Sequence, residues 1–250
     1  GHSMVQTGNR PRVAWIAGVG ASAGLGAALG RRFAREGFTV ALTGRTRERI
    51  EVVVDEIRRA GGDALALPGD VTSESEVAAI AAQIVQAGAL EAAVFNAGNS
   101  SNARLLDLGA AQFESVWRVG TLGGLIVGKE AVRAMLAAGG GSLIFTGATA
   151  SLRGRPPFAA FAASKAALRS LSQSFAREFG PQGVHVAHVI IDGGIDGERL
   201  RQAAPQRIAA SGDDGLLHPD EIADAYWRLH QQPRSAWSQE IDLRPYNESF

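Results

Sequence analysis

Short apolar runs alternate with longer helix-forming stretches along nearly the whole chain, and this alternation constrains the fold more than any other feature. The first run, residues 13–17, is entirely apolar, as in a strand buried on both faces. Further predicted strands follow at residues 38–43, 64–67, 92–95, 142–146 and 184–191, and a short closing strand at residues 240–243. Helical stretches separate them at residues 27–36, 47–60, 77–87, 111–138, 158–168 and 221–230. Regular β-α alternation implies parallel strands joined by right-handed crossovers. We therefore predict a doubly wound parallel sheet of about seven strands with helices on both faces.

Composition narrows the class of protein. The 250 residues are 46% hydrophobic, which is enough for one large core, and no linker-like stretch divides them. Lys+Arg and Asp+Glu balance at 25 each, so the charge gives no reason to expect a nucleic-acid or membrane partner. The chain has no cysteine and no apolar run near the roughly 20 residues of a membrane span. We expect an expression-tag remnant at residues 1–4 and one cytoplasmic domain over residues 5–250.

A glycine-rich turn lies between the first predicted strand and the first predicted helix. Gly20, Gly24 and Gly26 fall in this turn. Glycines in such a turn let the backbone approach a pyrophosphate closely, and the phosphates then meet the positive end of the helix. A glycine triplet alone is weak evidence, but the strand–turn–helix context favours a dinucleotide site.

Residues 158–168 read Phe-Ala-Ala-Phe-Ala-Ala-Ser-Lys-Ala-Ala-Leu, an alanine-rich helix with one lysine. Together with the glycine-rich turn, this segment resembles the active-site helix of the short-chain dehydrogenase/reductase family. The resemblance extends from residue 13 to about residue 244. It implies a Rossmann-type sheet of order 3-2-1-4-5-6-7, a nicotinamide dinucleotide cofactor, a small-molecule substrate, and assembly as a homodimer or homotetramer through the long helices at residues 113–136 and 161–179.

The resemblance also assigns the cofactor-binding positions. In the first turn they are Gly20, Ser22, Gly24, Leu25 and Gly26. Further along the chain they are Asp70, Val71, Asn96, Ala97, Gly98 and Lys165, with the Ile195 backbone facing a carboxamide. Two alternatives stay open, namely that Asp70 only caps a helix and that Gly98 only forms a turn. Asp192 and Gly197 replace a proline and a threonine of the family pattern around Ile195, which weakens that assignment.

The end of the second predicted strand bears on cofactor choice. Family members that prefer NAD carry an acid at the position where this chain has Gly44, and Arg45 follows it. The missing carboxylate removes repulsion of a 2′-phosphate, and a guanidinium offers a planar donor fork for it. We therefore expect NADP(H) over NAD(H), with the alternative that Arg45 and Arg47 are solvated loop residues.

Three of the four polar catalytic positions of the family are apolar or bare in this chain. Lys165 is present, whereas Phe161, Ala148 and Gly120 occupy the positions of the tyrosine, serine and asparagine. A shift of register would instead bring Thr149 or Thr146 to the serine position. Phenylalanine has no ionisable proton, so the usual general acid for carbonyl reduction is missing. We expect Lys165 to bond a ribose hydroxyl, with a solvent-facing lysine as the alternative. We expect the phenylalanines to form an apolar floor under the nicotinamide rather than core filling.

The other residues considered for a functional role are weaker candidates. Phe158 occupies the position seven residues before the lysine, where related enoyl reductases have tyrosine, and the two tyrosines, Tyr226 and Tyr246, lie near the C-terminus. Asp192 and Asp196 are expected on a surface loop at the cleft mouth, and a mobile loop is expected over residues 197–215. His185 and His188 lie three apart on a predicted strand and so on opposite faces, which argues against a shared metal.

Two functional hypotheses remain. In the first, the chain is an NADP(H)-dependent oxidoreductase whose substrate, such as an activated double bond or an imine, does not need the tyrosine. In the second, it binds the cofactor without catalysis, as a redox sensor or as the silent partner of an active relative.

Overall fold

A computed structural model of the chain describes residues 10–99 and 101–250, so the proposed tag remnant and the first residues of the proposed domain lie outside it. One parallel sheet of seven strands has the order β3-β2-β1-β4-β5-β6-β7, as the resemblance predicted. The strands are β1 (Arg12–Ala17), β2 (Thr39–Thr43), β3 (Asp63–Ala66), β4 (Ala89–Phe95), β5 (Gly141–Ala148), β6 (Val184–Ile191) and β7 (Glu240–Leu243).

Helices cover both faces of the sheet. They are α1 (Leu25–Arg35), α2 (Arg47–Arg59), α3 (Glu74–Ala87), α4 (Ala110–Trp117), α5 (Gly123–Ala138), α6 (Ala159–Phe179), α7 (Glu198–Ala203), α8 (Pro205–Ser211) and α9 (Pro219–His230). One apolar core joins α1, α2 and α9 to the sheet, and a second joins α3, α5 and α6 to its other face. The prediction of a doubly wound sheet is therefore confirmed. Among the described residues, no helix is both long and apolar enough to cross a membrane.

Two predictions of local structure were wrong. The helix expected over residues 111–138 is interrupted by a π-helical turn, Arg118–Leu122, between α4 and α5. Gly120 lies in this turn, and a Cβ there would stand 2.3 Å from Ser164 Oγ, so tertiary contact with α6 shapes the turn. The mobile loop expected over residues 197–215 instead contains α7 and α8, which are too short to produce a helical periodicity in the sequence.

Candidate functional site

The carboxyl ends of β1 and β4 bring two of the predicted cofactor segments into direct contact. The backbone N–H of Asn96 donates to Ala17 O at 2.7 Å, and Asn96 Nδ2 donates to Gly18 O at 3.0 Å. Gly18 has φ +119°, and a Cβ there would lie 2.4 Å from Ala97 N. Only glycine fits this close approach. The turn after β1 and the segment Asn96, Ala97 and Gly98 therefore form one packed unit.

The turn after β1 leaves the amino end of α1 open to an anion. Gly24 is the N-cap residue, no described side chain caps the helix, and its first turn contains no acidic residue. Gly26 packs under the turn, since a Cβ there would lie 2.3 Å from Gly18 O. On the other side, a Cβ at Gly20 would meet no described atom within 4 Å. A pyrophosphate fits this open, positively polarised end.

Ser22 and Leu25 have surroundings that the sequence does not reveal. The Ser22 hydroxyl donates to Glu56 Oε1 at 2.6 Å, and Arg31 Nη1 donates to the Ser22 carbonyl at 2.9 Å. Leu25 is buried against the core between the sheet and α1. These contacts hold the turn from both sides, so its backbone is prearranged.

The residues after β2 and β3 form the next part of the site. A Cβ at Gly44 would lie 2.2 Å from Val19 O, so the position where NAD-preferring family members carry an acid is sterically closed in this chain. Arg45 is exposed and donates through Nη2 to Asn99 Oδ1 at 3.0 Å. Asn99 was not singled out from the sequence, although it directly follows the predicted Asn-Ala-Gly segment.

Asp70 stabilises its own turn. Its Oδ1 accepts hydrogen bonds from Thr72 N at 2.9 Å and from Thr72 Oγ1 at 2.7 Å, and these bonds hold the pKa of Asp70 below its usual value. The helix-cap alternative for Asp70 was wrong, because Ser73 is the N-cap residue of α3 and accepts from Glu76 N. Val71 is buried against Gly123 of α5.

Lys165 is buried and reaches the edge of the cofactor segments. Its Nζ donates to Thr146 O at 2.8 Å, and a Cβ at Gly98 would lie 3.8 Å from Nζ. The lysine is 7% exposed, so the solvent-facing alternative was wrong. Burial lowers the pKa of Lys165 to about 8, and the positive charge of Arg199 contributes in the same direction.

The groups around Lys165 are hydrocarbon where the resemblance would place hydroxyls. The Phe161 ring centroid lies 5.7 Å from Lys165 Nζ. Phe161 is half-buried and Phe158 is 41% exposed, so neither ring is core filling. Ala148 ends β5 and donates its backbone N–H to Ser151 Oγ at 3.0 Å. Phe161 and Ala148 therefore offer no side-chain proton.

The two tyrosines lie in different surroundings. The Tyr226 hydroxyl lies in the core between the sheet and α9, 2.7 Å from Thr146 Oγ1, where burial raises its pKa. α6, which carries Lys165, packs on the opposite face of the sheet. Tyr246 is exposed near the C-terminus.

Asp192 corrects another expectation. It was expected on a surface loop, but it is 4% exposed and directly follows β6. Its Oδ1 accepts from Thr149 Oγ1 at 2.7 Å, and its Oδ2 accepts from Arg244 Nε at 3.1 Å. Burial alone would raise the pKa of Asp192, but these hydrogen bonds outweigh it and hold the pKa below its usual value. Asp196 accepts from Arg201, and Ile195 forms an isolated bridge with Leu217.

The histidines serve other contacts. His185 Nε2 bonds Ser238 O at 2.7 Å, and His188 Nδ1 bonds Glu240 Oε2 at 3.1 Å. Within residues 10–99 and 101–250, no three His, Asp or Glu side chains are grouped as a metal site would need.

Comparison with known proteins decides the family. The family model described as short chain dehydrogenase matches residues 14–207. The chain belongs to the short-chain dehydrogenase/reductase family.

Several members of the family are similar over most of their length. An A-factor type gamma-butyrolactone 1'-reductase (1S-forming) of Streptomyces virginiae is 34% identical, over 92% of this chain and 85% of the relative. A crystal structure of a short-chain dehydrogenase from Rhodopseudomonas palustris is 39% identical with a TM-score of 0.81, covering 95% of this chain and 100% of that one. A metagenomic short-chain oxidoreductase in complex with NADP is 26% identical with a TM-score of 0.78, and the match covers 94% of this chain and 98% of that one.

A cleft next to Ala148 was missed by sequence reasoning. It has a volume of about 310 Å³ and its lining includes Thr149, Arg153, Arg155, Asp192, Glu248 and Phe250. Arg153 and Arg155 follow β5, the strand that carries the serine position in other short-chain dehydrogenase/reductases. Their position after that strand could have indicated from the sequence that they lie near the site, because the carboxyl ends of parallel strands share one edge of the sheet.

The depressed pKa of Lys165 predicts a pH-dependent stability. Below about pH 8 the folded chain buries a charged lysine, while the unfolded chain keeps its proton up to its ordinary pKa of 10.5. Between these values the unfolded state binds more protons, so this contribution to stability rises with pH. Urea unfolding measures the free energy of unfolding of Lys165→Met and of the wild type. The value for the variant minus that for the wild type should fall by about 3 kcal/mol between pH 7 and pH 10.5. Lys129→Met is the control, because it removes an exposed lysine on α5. A flat difference for Lys165→Met would contradict the buried charge.

Proposed function

We propose that this short-chain dehydrogenase/reductase is an NADP(H)-dependent oxidoreductase whose reaction does not use a tyrosine acid. One observation carries the proposal: Lys165 is buried beside Gly98, while hydrocarbon stands at positions 161 and 148. The fold and the open amino end of α1 support cofactor binding. The Streptomyces virginiae relative is named a reductase, and the metagenomic relative was solved with NADP, which agree with this class of reaction.

The residues present fit a dinucleotide. The turn around Gly20, Gly24 and Gly26 and the amino end of α1 would hold the pyrophosphate. Lys165 would donate to a ribose hydroxyl, and Phe161 would offer an apolar surface to the nicotinamide. Asp70 and Val71 would border the adenine, and the Ile195 backbone would meet the carboxamide. When bound, the nicotinamide supplies or accepts the hydride.

Cofactor preference rests on the residues after β2. Gly44 cannot carry a carboxylate without displacing Val19, so nothing at this position repels a 2′-phosphate. Arg45 is exposed, and its guanidinium lies within reach of Asn99 on the neighbouring loop. An exposed guanidinium at this edge favours NADP(H), because guanidinium and phosphate form bidentate charged hydrogen bonds.

Removing this guanidinium should weaken one cofactor selectively. Arg45→Gln is expected to raise the Kd for NADPH by about 10–100-fold and to leave that for NADH nearly unchanged, since only NADPH carries the 2′-phosphate. Fluorescence titration of the reduced cofactors measures both constants. The control is Arg47→Gln, because Arg47 is exposed and pairs with Glu51 on its own helix. Equal weakening of NADPH and NADH by Arg45→Gln would contradict the proposed contact.

The proposed substrates follow from the missing acid. Losing a positioned general acid costs about 10²–10⁴-fold in rate, so ordinary ketone reduction would be slow. An activated double bond or an imine can take its proton from water, from Lys165 or from a group of its own. Lys165 holds a proton at neutral pH and can release it near pH 8, which suits this role.

A substrate panel separates catalysis from silent binding. NADPH consumption is measured with ketones, enones and imines, and we expect turnover with an enone or an imine. The second candidate, a non-catalytic NADP(H) binder, is favoured by the loss of hydrogen-bonding side chains at positions 161, 148 and 120 together. Saturable NADPH binding with no consumption by any substrate would establish that candidate.

The domain, assembly and location remain part of this proposal. We infer one domain from residue 5 onward, acting in the cytoplasm on a small molecule rather than on nucleic acid or membrane. Four large apolar side chains of α4 and α5 are exposed, namely Phe113, Trp117, Leu125 and Leu136. A homodimer or homotetramer that pairs these helices, and α6, with their copies would cover them.

A further inference from the structure

The cleft beside Ala148 contains two arginines that form no ion pair with a described carboxylate. Arg153 Nε is fully buried and has no hydrogen-bond partner. Every ion pair with an N–O distance of up to 4.0 Å among the described residues involves another basic group. Neither Arg153 nor Arg155 therefore has a carboxylate oxygen within that distance. A buried donor without a partner costs free energy, and native structures rarely leave one unless a ligand or an ion completes it.

The two acids of the same cleft differ in their partners. Asp192 is held by Thr149 and Arg244, and the charge of Arg153 contributes to lowering its pKa, which places Arg153 near it. Glu248 lines the cleft from the C-terminal segment without an ion pair. Arg155 stands exposed at the rim.

The lining favours a ligand of low negative charge. Arg153 and Arg155 line the cleft together with Asp192 and Glu248, and Arg244 is shared between Asp192 and Asp242. The second charge of a phosphate monoester would be repelled by Glu248. Carboxylate also matches the planar donor fork of an arginine.

We propose that this cleft binds a carboxylate of the substrate, held by Arg153 from inside and by Arg155 from the rim. Thr149 directly follows Ala148, so the carboxylate would sit next to the serine position of the catalytic site. The inference rests on the proposed function, since the carboxylate belongs to the molecule that is reduced or oxidised there.

Ligand-observed NMR titrations of the full chain test the inference. The probes are 4-oxopentanoate, its neutral amide 4-oxopentanamide, and dihydroxyacetone phosphate, each with and without saturating NADP⁺. We expect the carboxylate to bind at least tenfold more tightly than the amide and more tightly than the phosphate monoester. Arg153→Gln should weaken carboxylate binding by about 10–100-fold, because it removes charged hydrogen bonds.

Two further variants should change carboxylate binding in opposite directions. Arg155→Gln changes an exposed side chain, so it tests the cleft even if Arg153→Gln does not fold, and it should weaken binding by about 3–10-fold. Glu248→Gln removes repulsion and should tighten binding by about 2–5-fold. Arg177→Gln is the matched control, since Arg177 is exposed on α6 and does not line the cleft.

Several results would overturn the inference. They are absent carboxylate binding, equal binding of acid and amide, tighter binding of the phosphate monoester, and no effect of either arginine variant. If NADP⁺ fails to bind while the acid is still preferred through Arg153, the proposed function fails and the carboxylate site stands. If NADP⁺ binds but acid and amide are equal, the carboxylate site alone fails.

Discussion

The double variant Phe161→Tyr/Ala148→Ser should reduce simple ketones with NADPH at least about 100-fold faster than the native chain. The tyrosine would place an ionisable hydroxyl on the face of α6 that carries Lys165, whose ammonium lies 5.7 Å from the present ring centroid. The serine would add an oxygen-binding donor at the end of β5. A general acid contributes about 10²–10⁴-fold and a donor to the developing oxyanion about 10²–10³-fold, but groups that act together need not multiply.

The third replaced position cannot be restored as simply. A Cβ at Gly120 would stand 2.3 Å from Ser164 Oγ, and Thr121 Oγ1 also donates to Ser164 O at 3.0 Å. Gly120→Asn would therefore displace Ser164, the neighbour of Lys165. We expect a triple variant that includes it to be slower than the double variant.

Controls isolate the position of the new hydroxyl. Phe179→Tyr adds the same group at the far end of α6, packed near Phe175, and should give no ketone reduction. Steady-state kinetics on a ketone panel at saturating NADPH measure the gain. If the double variant folds and binds NADPH but gains nothing, positions 161 and 148 do not occupy the assumed catalytic places.

Gly44→Asp should abolish tight binding of both dinucleotides instead of switching preference to NAD(H). A Cβ at position 44 would stand 2.2 Å from Val19 O. Val19 cannot retreat freely, because the N–H groups of Gly18 and Val19 both donate to Thr43 O, at 2.8 and 2.9 Å. The clash therefore distorts the phosphate-binding turn. We expect a loss of roughly 2–4 kcal/mol in the free energy of unfolding and at least a tenfold rise in both Kd values.

Urea unfolding and titrations with NADPH and NADH measure these effects. The matched control is Gly20→Ala, because a Cβ at Gly20 meets no described atom within 4 Å, and stability should change by less than about 0.5 kcal/mol. Gly44→Asp with unchanged stability and tighter NADH binding would show that the turn yields to an acid at this position.

The alternation of apolar runs and helices was sufficient to predict the sheet and its parallel strands, whereas the strand order came from the family resemblance. Each strand buried on both faces needs consecutive apolar residues, and that requirement is local enough to read along the chain. The identities of Phe161, Ala148 and Gly120 were likewise plain from the resemblance, since spacing within one helix or strand does not depend on distant residues.

What the sequence could not supply were contacts between segments far apart in the chain. Asp192 resembles a loop aspartate until β6, Thr149 and Arg244 are brought together around it. The closed position at Gly44 depends on Val19, and the π-helical turn at Gly120 depends on Ser164. Burial and hydrogen-bond partners are properties of the packed chain, and the pKa of Lys165 follows from them. The sequence by itself thus determined the fold and which side chains are available, whereas only tertiary packing decided which of them are buried, charged or accessible.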